Sequence, residues 1–227
     1  MKRFWTDVTV DADRAIRLDD RPVRTPGRAP LALPTPALAE AIASEWRAVG
    51  ETLDPRLMPL TGLANAAIDR VAPDPQAFAD GLAAYAESDL LYYRAESPAE
   101  LIAREAAAWD PLLAWARDRY DIHFETVSGI MHRPQPPATL ARLTEAVASR
   151  APFALVALQP IVTIGGTMVG ALALAEKAID ADTLWTAAIV DESWQAEVWG
   201  EDAEAVQTRA IRRRDFDAAV RFLTLLD

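Results

Sequence analysis

The chain has 227 residues, 51% of them hydrophobic, with no cysteine and with 34 acidic against 23 basic side chains for a formal net charge of −11. That length supports one large domain or two small ones with a real core. The missing cysteines exclude disulfides, thiolate metal sites and cysteine nucleophiles, and the acidic balance argues against nucleic acid and anionic membranes as partners while suiting a basic protein partner.

The opening Lys2-Arg3-Phe4-Trp5-Thr6-Asp7 lacks the apolar core of a signal peptide and the pattern of a basic transit helix, so a bacterial cytoplasmic location is expected, with the mitochondrial matrix as the alternative for a eukaryotic chain. Phe4 to Val10 and Arg14 to Leu18 alternate as strands do, with Asp19-Asp20 as the turn between strands. Shorter extended pieces are expected at Pro22–Thr25 and Ala29–Leu33, their prolines confining them to edges. Residues 4–33 thus read as a small antiparallel sheet.

Helical spacing then takes over. Thr35-Pro36 is a cap followed by a first-turn proline, with Leu38, Ile42, Trp46 and Val49 as the stripe and Gly50 as the stop. Leu60 to Val71 repeats the three-four spacing, and Asp74-Pro75 starts another helix. Ser97-Pro98-Ala99-Glu100 has the spacing of a capping box, and Pro111 is expected to kink or break the helix it opens. Ile122 to Val127 reads as a strand or an extended connector, and Leu140, Leu143 and Val147 mark a further helix. Ala151 to Ala175 carries no charge, which raises the question of a membrane span. Gln159-Pro160 and Gly165-Gly166 divide it, and no basic cluster or aromatic belt flanks it, so two buried helices are the better expectation. A tryptophan-bearing helix follows from about Leu184 to Gly200, capped by Asp180 or Asp182, and then one or two final helices. The fold class expected is α+β, mostly α: a small N-terminal antiparallel α/β domain over residues 1–72, then a helical bundle over residues 73–227.

The tryptophan helix holds the oddest residue. At about 100° per residue, Trp185, Ala188, Ile189, Ala196 and Trp199 fall on one stripe, and Glu192 falls among them. A carboxylate buried there has to be paired, protonated or functional. A salt bridge to one of the many arginines and a functional role both remain open. Phosphate-loop, dinucleotide and nucleophile-elbow motifs are absent. His123 and His132 lack the spacing of a helical zinc pair, so neither a metal nor a cofactor is expected. Asp89 and Arg94 read as an ion pair at a helix end, and Trp109-Asp110-Pro111 as a helix boundary with a core tryptophan.

Several runs, in order, resemble one family: Arg3-Phe4-Trp5, Leu18-Asp19-Asp20-Arg21-Pro22-Val23-Arg24-Thr25-Pro26, Met58-Pro59-Leu60-Thr61-Gly62-Leu63-Ala64, Ser88-Asp89-Leu90-Leu91-Tyr92-Tyr93-Arg94-Ala95, Trp109-Asp110-Pro111-Leu112-Leu113, and Asp191-Glu192-Ser193-Trp194-Gln195 followed by Trp199-Gly200. The family is the assembly chaperones for the α subunit of the ATP synthase catalytic head, of mitochondrial and alphaproteobacterial type. The resemblance implies a non-enzymatic protein that binds the unassembled α subunit, prevents its aggregation and releases it to pair with β. It also implies a small α/β domain joined to an orthogonal helical bundle, and an important acidic residue near the carboxyl-terminal end. Glu192 is the position that matches, with Glu197 and Asp202 as neighbours. The partner-binding residues expected are therefore Glu192, Gln195, Glu197, Trp199 and Asp202, with Asp89, Arg94 and Trp109 structural or partner-binding. The competing reading is a carboxylate-dependent hydrolase or transferase in which Glu192 and Asp89 converge in a deep pocket.

Overall fold

Three short strands open the chain in a computed structural model that describes residues 2–227: β1 (Val8–Val10), β2 (Ile16–Leu18) and β3 (Arg21–Pro22), antiparallel in that order. Val8 pairs with Leu18 and Arg17 with Pro22. Val8, Ile16 and Leu18 are buried, as the alternation requires of one face. The turn residue Asp19 takes a left-handed φ of 50°. Its carboxylate accepts the N–H groups of Thr6 at 3.0 Å and Asp7 at 2.9 Å. The two further strands expected shrink to isolated bridges, Arg24 with Pro30 and Ala15 with Ala32, because Pro22, Pro26 and Pro30 have no N–H to give a ladder. Gly27 is required here for space: a Cβ would lie 2.6 Å from the Asp69 carboxylate. That carboxylate instead takes the Gly27 N–H at 2.7 Å and the Thr25 hydroxyl at 2.6 Å.

Helix α1 (Pro36–Arg47) starts as expected, with Thr35 accepting the Leu38 N–H at 3.2 Å, and buries Leu38, Ile42 and Trp46. It packs on β1 and β2. Gly50 plays no part in stopping it. Ala48 closes the helix, its N–H bonded to the Ser44 carbonyl. Glu45 on α1 accepts the Leu60 and Thr61 N–H groups, both at 2.8 Å, and the Thr61 hydroxyl at 2.7 Å. It thereby supplies acceptors to the first turn of α2 (Pro59–Ala66), whose leading amides have no partner within the helix. A wider turn, Ala67–Val71, continues α2. These elements form one compact unit with Ala151–Leu158 and Asp217–Asp227. Within it Phe153 stacks on Phe222 at 6.1 Å.

The second unit comprises Gln76–Arg150 and Gln159–Phe216. Its elements are α3 (Pro75–Ala83), β4 (Tyr93–Arg94) paired in parallel with β5 (Val127–Ser128), α4 (Ala99–Tyr120), α5 (Pro137–Ala148), α6 (Pro152–Gly165), α7 (Met168–Ala175), α8 (Ala181–Ala188), α9 (Val190–Trp199) and α10 (Ala203–Thr224). Helices α6 and α10 contribute residues to both units. Helix α4 packs against α7, α8 and α9. The class is α+β and mostly helical, as expected.

Three local expectations fail. The capping box does not form: α4 begins one residue late, with Pro98 at the cap and no side-chain cap bond, and Glu100 pairs with Arg104 instead. Pro111 does not break α4, because it and Ala107 are both exposed, so water reaches the carbonyl that the proline cannot serve. Pro160 also sits inside α6 instead of dividing it, and the exposure of its surroundings does not account for that, since Val156 one turn before it is buried. The division of the uncharged stretch falls at Gly166, whose φ of +70° suits glycine. From Met168 to Leu174 every residue of α7 is buried. Among the described residues, no helix is long and apolar enough to cross a membrane.

Candidate functional site

The tryptophan segment is two helices. Helix α8 ends at Ile189, whose φ of −112° and ψ of 16° interrupt the winding, and α9 starts at Val190. The interruption leaves the Ala187 carbonyl for the Trp109 indole N–H, which donates to it at 2.8 Å. In an unbroken helix the Asp191 N–H would use that carbonyl. The single stripe from Trp185 to Trp199 therefore does not exist: Trp185 is buried, and Trp199 is 75% exposed.

Glu192 is correspondingly half-buried rather than buried. Its two oxygens accept from Arg209 Nε at 2.9 Å and Arg212 Nη2 at 3.0 Å, both on α10. Burial pushes its carboxyl up, but the two guanidiniums outweigh burial and hold it below the usual carboxylate range.

The outer face of α9 carries Gln195, Glu197, Val198 and Trp199, all exposed. Glu197 accepts from Arg104 at 2.7 Å, and the Arg104 guanidinium lies over the Trp194 ring at 4.8 Å. Gly200, at a φ of +88°, ends the helix. Beyond it Asp202 accepts the Ala205 N–H at 3.0 Å and caps α10. Gln195, Glu197 and Trp199 thus share one element, Asp202 follows across the Gly200 bend, and Glu192 turns to α10. Of the seven tryptophans, Trp5, Trp46, Trp109 and Trp185 are core residues. Trp199 is the one offered to solvent.

Asp89 and Arg94 do not pair. Asp89 is fully buried. It accepts the Leu91 N–H at 3.0 Å on one oxygen, and the Thr167 hydroxyl at 3.0 Å and the Val169 N–H at 2.9 Å on the other. It serves the first turn of α7 as Glu45 serves α2. Desolvation raises its carboxyl to about 6 against these bonds. Arg94 bonds Asp110 at 2.7 Å and stacks its guanidinium 5.1 Å from the Trp109 ring centre. Trp109 sits within α4 rather than at its boundary. The sequence spacing missed both destinations because they lie far along the chain.

A second carboxylate pair escaped the sequence reading. Glu105 on α4 is 2% exposed and accepts the Ala95 N–H at 2.9 Å. Asp191 of α9 lines a cleft with it, and its negative charge acts on Glu105. Burial first, then Asp191, push Glu105 above the ordinary range, against the Ala95 N–H and Arg94. The signal was present: Leu101, Glu105, Trp109 and Leu112 lie on one helical face.

The pair lies at the wall of a cleft of about 380 Å³ that also takes in Leu101, Gln195 and Ile130. A larger cleft of about 550 Å³ between α4 and α8 is lined by Pro111, Leu112, Trp115 and Ile179 and is mainly apolar. Neither of these two clefts contains Glu192 or Asp89; Asp89 is fully buried on three donors and Glu192 is held by Arg209 and Arg212, so the two carboxylates that a hydrolase would need are each committed elsewhere. Among the described residues, no group of three or more His, Asp or Glu side chains is placed to hold a metal ion.

Residues 2–117 match the model of the ATP12 chaperone protein family. The fold is similar over its whole length to that of Atp12 from Paracoccus denitrificans, with a TM-score of 0.93 and 43% identity, covering 100% of this chain and 98% of that one. An aspartate-to-lysine variant of the P. denitrificans protein gives a TM-score of 0.94 at 43% identity, with the same coverage. A protein of Agrobacterium tumefaciens gives 0.93 at 41% identity, covering 100% of this chain and 86% of that one.

Proposed function

The chain belongs to the ATP12 chaperone family, whose work is ATP synthase assembly, and we propose that its client is the unassembled α subunit of the catalytic head. It covers a surface of that subunit destined for β and gives it up when β arrives. An apolar interface left in water invites aggregation, and a transient cover needs an aromatic anchor inside a charged rim. The observation that carries this reading is Trp199: it is 75% exposed, beside the half-exposed Val198, and is bracketed by Glu197, Glu201 and Asp202. Gln195, Glu197, Trp199 and Asp202 face the client, while Glu192 holds α9 to Arg209 and Arg212. The role is non-enzymatic and requires no cofactor.

The test is light scattering of α subunit diluted from denaturant, with equimolar chaperone present. Wild-type protein suppresses the scattering, and Trp199→Ser suppresses it less while melting at the wild-type temperature. Scattering unchanged by wild-type protein would remove the reading.

A further inference from the structure

Helices α4 and α8 leave between them a cleft of about 550 Å³, within the range of about 300–1,000 Å³ in which proteins seat ligand groups. Its walls are apolar. Leu112 and Ala187 are buried, Trp115 and Ile179 half-buried, and Pro111 exposed. The polar groups at its edge are acceptors first. Pro111 has no N–H, so the Ala107 carbonyl one turn back is an acceptor that the α-helical ladder does not use. Asp180 and Asp182 line the cleft from the start of α8, and no described lining residue is basic. Asp180 takes the Thr183 N–H at 2.8 Å on one oxygen. Asp182 takes Arg213 at 2.5 Å on one oxygen, yet its side chain remains 81% exposed. Each carboxylate therefore keeps lone pairs for another donor. Thr183 and Thr186 add hydroxyls, which serve either role.

The cleft also adjoins the face of α9 that carries Trp199. Arg104, which bonds Glu197 of α9 at 2.7 Å, precedes Ala107 and Ala108 of the cleft by three and four residues and so shares their face of α4. Arg104 is itself committed to Glu100 and Glu197. The cleft thus begins one helical turn beyond the ion pair that ties α9 to α4.

We propose that this cleft is a second client-binding site, occupied by a cationic amphipathic segment of the α subunit. Its apolar side chains sit on Leu112, Trp115 and Ile179, and its lysine or arginine donates to the Ala107 carbonyl and the Asp180 and Asp182 carboxylates. Charge complementarity selects this occupant. An acidic segment would meet two carboxylates and no lining cation, and a second copy of this chain would bring a further net charge of −11. The proposal rests on the α-subunit reading and adds the class of segment that is recognised.

Photo-crosslinking reads the occupant directly. A p-benzoylphenylalanine takes the place of Thr186, an exposed residue of the cleft wall, in the full-length chaperone mixed with α subunit diluted from denaturant. Mass spectrometry of the crosslinked peptide is expected to return an α-subunit segment with apolar residues three or four apart beside a lysine or arginine. Ala107→Trp fills the cleft from the exposed face of α4, and its affinity for fluorescently labelled α subunit, read by anisotropy, is expected to fall about tenfold or more. Thr186→Arg, which repels a cation from the other wall, provides the same test should Ala107→Trp melt early. A crosslink to an acidic segment or to a second chaperone chain, a complex that forms without crosslinking at position 186, or full affinity in both variants overturns the second site while leaving the client in place. No binding of α subunit by wild-type protein would remove the α-subunit reading itself, and this site with it.

Discussion

Replacing Asp89 by asparagine separates two effects that the wild-type carboxylate combines. The first is hydrogen bonding. Leu91, Thr167 and Val169 all donate to the two oxygens of Asp89, and an amide has only one oxygen, so its NH2 group must face a donor in either orientation. Each buried donor left without an acceptor costs about 1–3 kcal/mol. The second effect is charge. Burial raises the carboxyl from 3.8 to about 6, a shift worth about 3 kcal/mol. The folded value lies above the unfolded one. The group's contribution is therefore complete below the unfolded value of 3.8 and is lost as pH rises through about 6. Asparagine does not titrate and shows no such loss. Urea unfolding of both proteins, at about pH 5 and about pH 7.5, reads the difference, in which the other titrating groups cancel. The variant is expected to be the less stable at the lower pH, with the gap narrowing by about 1.4 kcal/mol between the two pH values, the rest of the shift having been lost below pH 5. A gap that holds constant or widens as pH rises would refute the reasoning. It would mean that the amides at the start of α7 keep the carboxylate ionised despite burial.

Substitutions at three further positions test the other polar joints. Glu192→Gln weakens two partly exposed ion pairs and costs about 1 kcal/mol, whereas Glu192→Lys adds a third cation beside Arg209 and Arg212 and costs about 2 kcal/mol or more by thermal unfolding; because the Glu192 carboxyl is lowered, its contribution is present above the unfolded value and fades as pH falls through the folded one. Trp109→Phe strands the Ala187 carbonyl and lowers stability by about 1–3 kcal/mol in urea, and an unchanged midpoint would deny that bond its role. Glu45→Gln leaves one oxygen for three donors at the start of α2 and costs about 1–2 kcal/mol, measured as a fall in melting temperature.

Local signals in the sequence were read well where they were sufficient. Thr35-Pro36 capped α1 because the cap and the missing N–H act within four residues. The division at Gly165-Gly166 held because a left-handed turn needs glycine. Longer-range consequences were hidden. Asp89 finds its partners 78 and 80 residues away, so the nearby Arg94 was a misleading guess. The proline of α4 was read as a breaker because spacing does not report which carbonyls face water. Glu105 carried the same signal as Glu192, a carboxylate on an apolar stripe, and was passed over since it lies in a long helix with many other charges. Of the two, Glu105 is the buried one.

The interruption at Ile189 connects the fold to the surface proposed to meet the client. Fourteen residues separate Trp185 from Trp199, which in one continuous helix would set them within about 40° of each other. Trp199 would then share the buried face on which Trp185 meets Phe216 at 5.5 Å. The Trp109 indole takes the carbonyl that continuity would use, the winding resets, and Trp199 emerges with Val198 into solvent. The same reset brings Asp191 to the side of Glu105, because α9 now approaches α4 from a phase that α8 does not dictate. A single buried hydrogen bond between a tryptophan and a backbone carbonyl thus accompanies the exposure of the aromatic residue proposed to meet the client. Loss of client binding in Trp109→Phe at a temperature where the protein remains folded would follow from that dependence, without Trp109 ever touching the client.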